Sequence, residues 1–384
     1  MTAPDASPRP ARDGQREPQS PVEGRLRIAL RPDADGGMQA RIASTRPVHA
    51  SRLLEGRTRA EVLALVPMLY AVCGRAHGAA ATIATASALG QLARPDPALL
   101  RAAAAENLRE HLLRLYLDWP GLLGEAPDGE ALALVNRLCR DAARPGDDAA
   151  LPPLRRFVEE RAFGMPARAV LRFEGGSDFA RWSQDAGTLP ARFFGWLGQQ
   201  PPLRPVATPP LLGDLPPHAL HARLATDDRL DFVAAPTWDG QCRETGPLAR
   251  HIDHPLVRSL AATAGGALAG RFAARLLDVA EAVESLDSDR DGAADAGAAP
   301  GLAVVETSRG RLAHDVAFGA DERVSRYRVL APTEWNFHPD GTAARLLSAI
   351  PGDRPGDVAL LARLAVHAVD PCIGYELQIE GGDA

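Results

Sequence analysis

The sequence predicts a mostly helical α+β protein with small antiparallel β-sheets. Two observations support this fold class. Apolar residues recur at helical spacing over most of the chain, and short alternating stretches typical of strands lie towards both ends. Residues 24–30 and 38–43 predict a β-hairpin, and residues 302–306, 311–318 and 325–330 predict a second small antiparallel sheet. Helix should dominate between these two regions.

The helices are placed by their start signals and apolar spacing. Thr58, with Glu61 three residues later, predicts a capped helix that runs to about residue 89 and kinks at Pro67. A long helix is predicted over 247–286, where a Gly-Pro pair opens it. The stretch 163–240 is rich in proline and its elements cannot be assigned. Further predicted helices cover 97–117, 128–143, 152–162 and 356–369.

Composition excludes several classes of function. The net charge is -6, and basic residues do not form a stripe interleaved with aromatic residues, so nucleic acid is not an expected partner. The sequence has neither an apolar run of transmembrane length nor a hydrophobic secretory signal, which predicts a cytoplasmic protein without a membrane partner. In that compartment its four cysteines are expected to be thiols or metal ligands. Residues 1–20 predict a disordered tail.

Two cysteines have neighbours that suggest chemistry. Cys73 and His77 are four residues apart on a predicted helix, which would place both side chains on one face. Cys372 follows Asp370 and a proline at the end of another predicted helix. Taken alone, each cysteine is more typical of a buried structural thiol. Their position within a larger set of motifs decides the interpretation.

Six segments occur in an order that is strongly specific when taken together. They are GRLRI (24–28), LLEGR (53–57) leading into VCGRAH (72–77), ETGPLAR (244–250), ETSRGRLAH (306–314), APTEWNFHPDG (331–341) and VDPCIGY (369–375). Together they resemble the large subunit of [NiFe] hydrogenases, with its motifs EGHLR, RGxE-xxL-x-GR, RxCGxCxxxH, ExGPLAR, APRGxLxH, PTTWNxxPxD and DPCxxCxxH. This resemblance implies one large-subunit-like domain over 21–384, with a hydrogenase-like helical core and a flexible acidic linker at 287–300.

The chain keeps only half of each cysteine pair in these motifs. In the first pair Cys73 and His77 remain, but the leading cysteine is replaced by Tyr70. In the second pair Cys372 remains and its partner is replaced by Tyr375. The nickel site that the resemblance implies needs four sulfurs, and this chain keeps two of them. Nickel is therefore not expected to bind here.

A further departure removes the acid needed for proton transfer. The family's proton-relay glutamate falls on Ser51 in this sequence. Because neither this carboxylate nor the full set of sulfurs is present, hydrogen turnover is not expected. The resemblance therefore predicts a protein that is not an enzyme and retains a vestigial hydrogenase-like site.

The residues that would surround an iron with diatomic ligands are largely present. The resemblance places Arg309, Thr333 and Asp370 around such a metal, with an ion pair between Arg309 and Asp370 above it. Asp118 is a second candidate carboxylate on a weaker match. Arginine N–H groups and hydroxyls can donate to the nitrogen of a bound cyanide. Ser308 replaces a family proline, which makes this wall of the site more polar.

The pattern is similar to that of the large-subunit-like accessory proteins of uptake-hydrogenase operons, of the HupK/HoxV type. This resemblance implies a scaffold on which Cys73 and Cys372 hold iron as a transient Fe(CN)2CO unit before its transfer to the apo large subunit. The implied partners are maturation proteins of the HypC/HypD type and the large subunit itself. An alternative is a metal-free chaperone that mimics the large subunit to dock maturation proteins or the small subunit.

Overall fold

The computed structural model describes residues 24–91, 95–286 and 299–380. The predicted tail at 1–20, and residues 287–298 of the predicted linker, lie outside the described residues. In the described ranges the strands are β1 (Leu26–Pro32), β2 (Met38–Ser44), β3 (Leu302–Thr307), β4 (Gly310–Phe318), β5 (Val324–Leu330) and β6 (Tyr375–Ile379).

Helix dominates the described residues, as predicted. The helices are α1 (Arg59–Leu69), α2 (Gly74–Ala88), α3 (Pro97–Leu113), α4 (Trp119–Leu122), α5 (Gly129–Ala142), α6 (Leu151–Phe157), α7 (Ala167–Val170), α8 (Gly176–Asp185), α9 (Leu189–Leu197), α10 (Pro217–Ala225), α11 (Asp231–Ala234), α12 (Pro247–His251), α13 (Pro255–Ala261), α14 (Gly266–Ser285), α15 (Pro332–Asn336), α16 (Thr342–Ser348) and α17 (Pro355–Val369).

The two small sheets lie where the sequence predicts strands. β3, β4 and β5 form an antiparallel sheet in that order, which confirms the prediction for this region. β1 and β2 form the predicted hairpin. The prediction that both sheets are purely antiparallel is wrong, because β6 pairs with β1 in parallel. A parallel neighbour needs a crossover connection, and here the rest of the domain supplies it.

The helix predicted from Thr58 to residue 89 is two helices. The N-terminal capping box between Thr58 and Glu61 is present as predicted. The chain leaves the α-helical conformation at Tyr70, passes through a 3-10 turn and enters α2, whose axis is bent from that of α1 by 100°. Cys73 therefore precedes α2 as its N-cap, and the prediction that Cys73 and His77 lie on one α-helix is wrong.

The helix predicted over 247–286 is divided into α12, α13 and α14. Pro255 begins α13, and it cannot donate the backbone hydrogen bond that would continue α12. Gly265 adopts a left-handed conformation (φ 84°) and ends the connection before α14. α14 is the central helix of the core and packs against α3, α7, α12, α13 and α17.

None of the described helices, taken alone, combines the length and the apolar composition that a membrane span needs. The consecutive helices α1 and α2 do so only together, and a bend of 100° separates them.

Candidate metal-binding site

Arg309 lies at the centre of the candidate site. It occupies the tight turn between β3 and β4, and its side chain is 1% exposed. Its Nη1 donates to the Sγ of Cys73 at 3.6 Å, and its Nη2 donates to Glu110 at 3.2 Å. Its Nε lies 3.5 Å from Asp370 Oδ2. One guanidinium thus joins the first cysteine region to the C-terminal motif.

Thr333 holds the second cysteine. Its hydroxyl donates to the Sγ of Cys372 at 2.9 Å and accepts the Cys372 backbone N–H at 3.2 Å. Thr333 sits in the first turn of α15, and Cys372 follows the left-handed residue Asp370 that ends α17. Cys372 is half-buried, whereas Cys73 is buried.

The two cysteines influence each other although they lie far apart in the sequence. Burial raises the pKa of the Cys73 thiol to about 12; Arg309 opposes this shift, and Cys372 and Glu110 add to it. Cys73 therefore carries its proton at neutral pH. Both cysteines are free thiols. The structure brings together Cys73, Cys372, Arg309, Thr333 and Asp370, although no described group of three or more His, Cys, Asp or Glu side chains is arranged to hold a metal.

A buried cluster of arginines surrounds Asp370. Arg275 and Arg114 approach its carboxylate at 3.6 and 3.8 Å, in addition to Arg309. Burial alone would raise the pKa of Asp370, but the three arginines hold it below its usual range. These contacts are longer than hydrogen bonds. Among the described residues, Arg309 Nε, Arg275 Nε and Nη1 and Asp370 Oδ2 have no hydrogen-bond partner, which leaves donors available to a bound ligand.

Sequence reasoning missed several members of this cluster. Glu110, Arg275 and Arg114 belong to helices outside the recognised motifs. Helical spacing gave no signal for them, because Glu110 shares its helix face with Glu106 and Arg114, and Arg275 shares its face with Arg271 and Asp278, a pattern typical of a solvated face. Buried charges are retained mainly where they are paired or bind a ligand, so such positions mark candidate functional residues.

Asp118 lies at the edge of the cluster. Its carboxylate accepts from Arg114 Nη1 at 2.6 Å, and His367 lies 3.8 Å away. Arg114 also approaches Asp370, so Asp118 is connected to the centre of the site by its ion pair with Arg114. On the same side, the hydroxyl of Tyr375 lies 3.3 Å from Nε2 of His367. The ligand-pocket role of Asp118 remains a prediction.

The ring of Tyr70 covers His77. The two rings stack with centroids 4.1 Å apart and planes 6° from parallel. His77 Nδ1 lies 3.0 Å from His314 Nε2, and His314 Nδ1 lies 2.8 Å from the hydroxyl of Tyr327. Both histidines and Tyr327 are buried. His77 thus supports the start of α2 through a buried hydrogen-bonded chain.

Of the remaining residues that the sequence singled out, Ser308 contacts the centre of the site. Ser51 is buried, and its hydroxyl donates to the carbonyl oxygen of Val48 at 3.4 Å. Ser308 Oγ accepts from Arg309 Nη1 at 3.4 Å. Of the other two cysteines, Cys139 is a core residue, and Cys242 lies 3.2 Å from Nδ1 of His338.

The buried histidine chain predicts acid sensitivity. Burial lowers the pKa of His314 to about 3, so between the ordinary value of 6.5 and about 3 the unfolded chain binds a proton that the folded chain does not. As the pH falls from 6.5 to about 3, this residue alone should therefore lower the free energy of unfolding by about 1.4 kcal/mol for each pH unit. Urea unfolding across this pH range should show that the free energy of unfolding depends less steeply on pH in His314→Gln than in the wild type. An exposed control, His49→Gln, should keep the wild-type slope; equal slopes in both variants would contradict the prediction.

Comparison with solved structures gives the class of fold. No family model matches the chain. A [NiFeSe] hydrogenase from Desulfovibrio vulgaris Hildenborough aligns with a TM-score of 0.57 and 20% identity, over 88% of this chain and 94% of that chain. An NAD+-reducing [NiFe] hydrogenase aligns with a TM-score of 0.51 and 18% identity, over 88% and 93%. The fold is therefore that of a [NiFe]-hydrogenase large subunit.

Similar sequences define the family more narrowly. Hydrogenase expression/formation protein HoxV of Cupriavidus necator is 32% identical over 374 residues, covering 92% of this chain and 95% of that protein. HupK of Azotobacter vinelandii is 33% identical over 386 residues, covering 93% and 99%. HupK of Bradyrhizobium diazoefficiens is 32% identical over 346 residues, covering 87% and 91%. The chain belongs to the HupK/HoxV family of hydrogenase expression/formation proteins, and its role lies in hydrogenase maturation.

Proposed function

We propose that this chain carries an iron atom with cyanide and carbon monoxide ligands, bound through Cys73 and Cys372, and passes it to an apo hydrogenase large subunit. In this proposal the iron unit is cargo that the chain holds and hands over, and the chain itself does not turn over hydrogen. The observation that supports it best is the convergence on one guanidinium: Arg309 contacts Cys73 and lies against Asp370, two residues before Cys372.

The polar surroundings of the thiols suit the proposed ligands. The nitrogen of an iron-bound cyanide accepts hydrogen bonds. The buried N–H groups of Arg309 Nε and Arg275 Nη1 have no hydrogen-bond acceptor among the described residues. Thr333 fixes Cys372 through its hydroxyl and its backbone contact. The chain thus supplies sulfur ligands and positioned N–H donors in largely buried surroundings.

Two thiolates also suit a carrier that must release its cargo. Tyr70 and Tyr375 stand where the large-subunit motifs have further sulfurs, so nickel is not an expected ligand in the proposed site. Fewer metal–sulfur bonds favour exchange to an acceptor that offers more. The proposed partners are HypC/HypD-type maturation proteins as donors and the hydrogenase large subunit as acceptor.

Infrared spectroscopy of the protein purified without oxygen from a host that expresses the hydrogenase operon tests this proposal. The wild type should show cyanide and carbon monoxide stretching bands, and Cys73→Ala and Cys372→Ala should lose them. Cys139→Ala is a matched control, because it removes a buried thiol that belongs to a different hydrophobic cluster from Cys73, and it should keep the bands. Absence of the bands from the wild type would overturn the proposal.

A metal-free docking chaperone is the second candidate, and one surface observation favours it. Met68 and Val72, on either side of the bend before Cys73, are 76% and 36% exposed. Exposed apolar side chains near one another often mark protein-binding surfaces. If this function is correct, Cys73→Ala should still support hydrogenase maturation, whereas Met68→Glu and Val72→Glu should reduce it.

A further inference from the structure

The first turn of α2 is held by a side chain from another helix. Cys73 is the N-cap residue of α2, but its side chain does not bond to the helix. The carboxylate of Glu106, in α3, accepts instead from the backbone N–H of Arg75, at 3.0 and 3.1 Å, and of Ala76, at 3.1 Å. These two groups are the ones that an N-cap side chain ordinarily satisfies. Glu106 therefore caps α2 in place of Cys73.

The backbone of Cys73 agrees with this division of roles. A residue that caps a helix is usually extended, whereas Cys73 has φ −122° and ψ 42° and also ends the 3-10 turn before α2. In this conformation its Sγ accepts from Arg309 Nη1 at 3.6 Å. The junction is tight, because a Cβ on Gly74 would lie 3.0 Å from the carbonyl oxygen of Pro67 in α1. The sulfur thus contacts the candidate site and not its own helix.

The same face of α3 makes a second contact with this region. Glu110 lies four residues after Glu106, so the two carboxylates are neighbours on one face of the helix. Glu110 accepts from Arg309 Nη2 at 3.2 Å, and Nη1 of the same guanidinium contacts Cys73. One carboxylate of α3 therefore holds the helix that begins after Cys73, and the other holds the guanidinium that meets its sulfur.

We propose that Glu106 is a positioning residue that keeps the sulfur of Cys73 available to a metal, by binding the N–H groups of α2 that this sulfur would otherwise bind. A cysteine sulfur, above all as the thiolate that binds a metal, accepts hydrogen bonds from the N–H groups at the start of a helix. Without Glu106 the sulfur is drawn to its own helix and away from Arg309. Capping and metal binding then compete for one sulfur.

This inference rests on the proposed function, because it concerns the same thiols, but its test uses cobalt(II) in place of the iron cargo. Cobalt(II) is titrated into the full-length protein under anaerobic conditions. The readout is the part of the sulfur-to-cobalt charge-transfer absorption that Cys73→Ser abolishes. Glu106→Ala should weaken the apparent affinity for cobalt by roughly tenfold, since a helix cap contributes a free energy of that order. Glu106→Gln keeps an oxygen that accepts from the N–H groups and should stay near the wild type.

Asp128→Ala is the control for a lost cap elsewhere. Asp128 is the N-cap of α5 and accepts from the Ala131 backbone N–H at 2.9 Å. Its replacement should lower the urea midpoint of unfolding and leave the cobalt affinity unchanged. A merely structural role of Glu106 would make Glu106→Ala behave in the same way, with a lower midpoint and wild-type cobalt affinity, and that result would overturn the proposal.

A second measurement needs no metal. Serine is a good N-cap residue, so adding Cys73→Ser to Glu106→Ala should raise the urea midpoint. In the wild type the same change should give no increase, because Glu106 already binds those N–H groups. Equal shifts in the two backgrounds would show that the sulfur does not compete for the helix, which overturns the role of Glu106. Missing infrared bands in the wild type would instead overturn the iron carrier and leave both comparisons standing.

Discussion

Replacing Arg309 with methionine is expected to destabilise the folded chain by about 3 kcal/mol, because it breaks a buried ion-pair network. Glu110 then keeps only its ion pair with Arg109, and Asp370 keeps only the longer contacts with Arg275 and Arg114. Glu110 and Asp370 are both buried and both lie against this guanidinium. The variant also removes the donor that contacts Cys73. Urea unfolding at neutral pH measures the loss.

Two further variants separate the buried charge from other effects. Arg192 forms an exposed two-point ion pair with Glu125 at 2.5 and 3.0 Å, and Arg192→Met should cost less than about 1 kcal/mol. Adding Glu110→Gln to Arg309→Met should recover part of the lost stability, since it removes a buried carboxylate that would keep only the partly exposed Arg109 as its ion-pair partner. A similar cost for Arg309→Met and Arg192→Met would show that the buried cluster contributes little to folding.

Gly310→Ala is expected to destabilise the chain by about 3 kcal/mol or more. Gly310 has a φ of 125°, a conformation that L residues avoid at a cost of about 1–3 kcal/mol. A Cβ at this position would also lie 2.5 Å from the Thr245 side chain and 2.7 Å from the backbone nitrogen of Gly246. The turn that presents Arg309 would have to move away from this neighbouring segment.

Gly56→Ala is the matched control for the backbone effect. Gly56 also has a positive φ, of 78°, but a Cβ there would meet no atom within 4 Å. Its cost should therefore be about 1 kcal/mol, from the left-handed conformation alone. Thermal and urea unfolding of both variants provide the measurement. If the two costs are equal, close packing around Gly310 does not contribute.

The sequence was sufficient to predict much of the fold and the centre of the site. Alternating residues predicted β3, β4 and β5, because the signal for each strand is local. The order of the motifs predicted that Cys73, Cys372 and Arg309 would come together, although their separation in the chain is large. That prediction came from a resemblance between segments and could not have come from any one segment alone.

The remaining features depend on contacts that a linear pattern does not contain. The break at Tyr70 was missed because apolar residues continue through it, so hydrophobic spacing alone does not reveal the change of direction. The parallel pairing of β6 was missed because its partner, β1, is at the other end of the described chain. The buried ion pair between Arg46 and Glu334 was missed because each residue is ordinary in its own segment and only the fold brings the two together.

The pairing of β1 with β6 has a consequence for biosynthesis. Leu26 opposes Tyr375, so the first strand of the sheet must wait for the last strand to leave the ribosome. Contacts between such distant residues form late, because a large loop has to close first. Cys372 lies only three residues before this last strand. The pair of thiols is therefore completed only after β6 has been synthesised and has left the ribosome, and a chain that stops before Cys372 has no assembled pair.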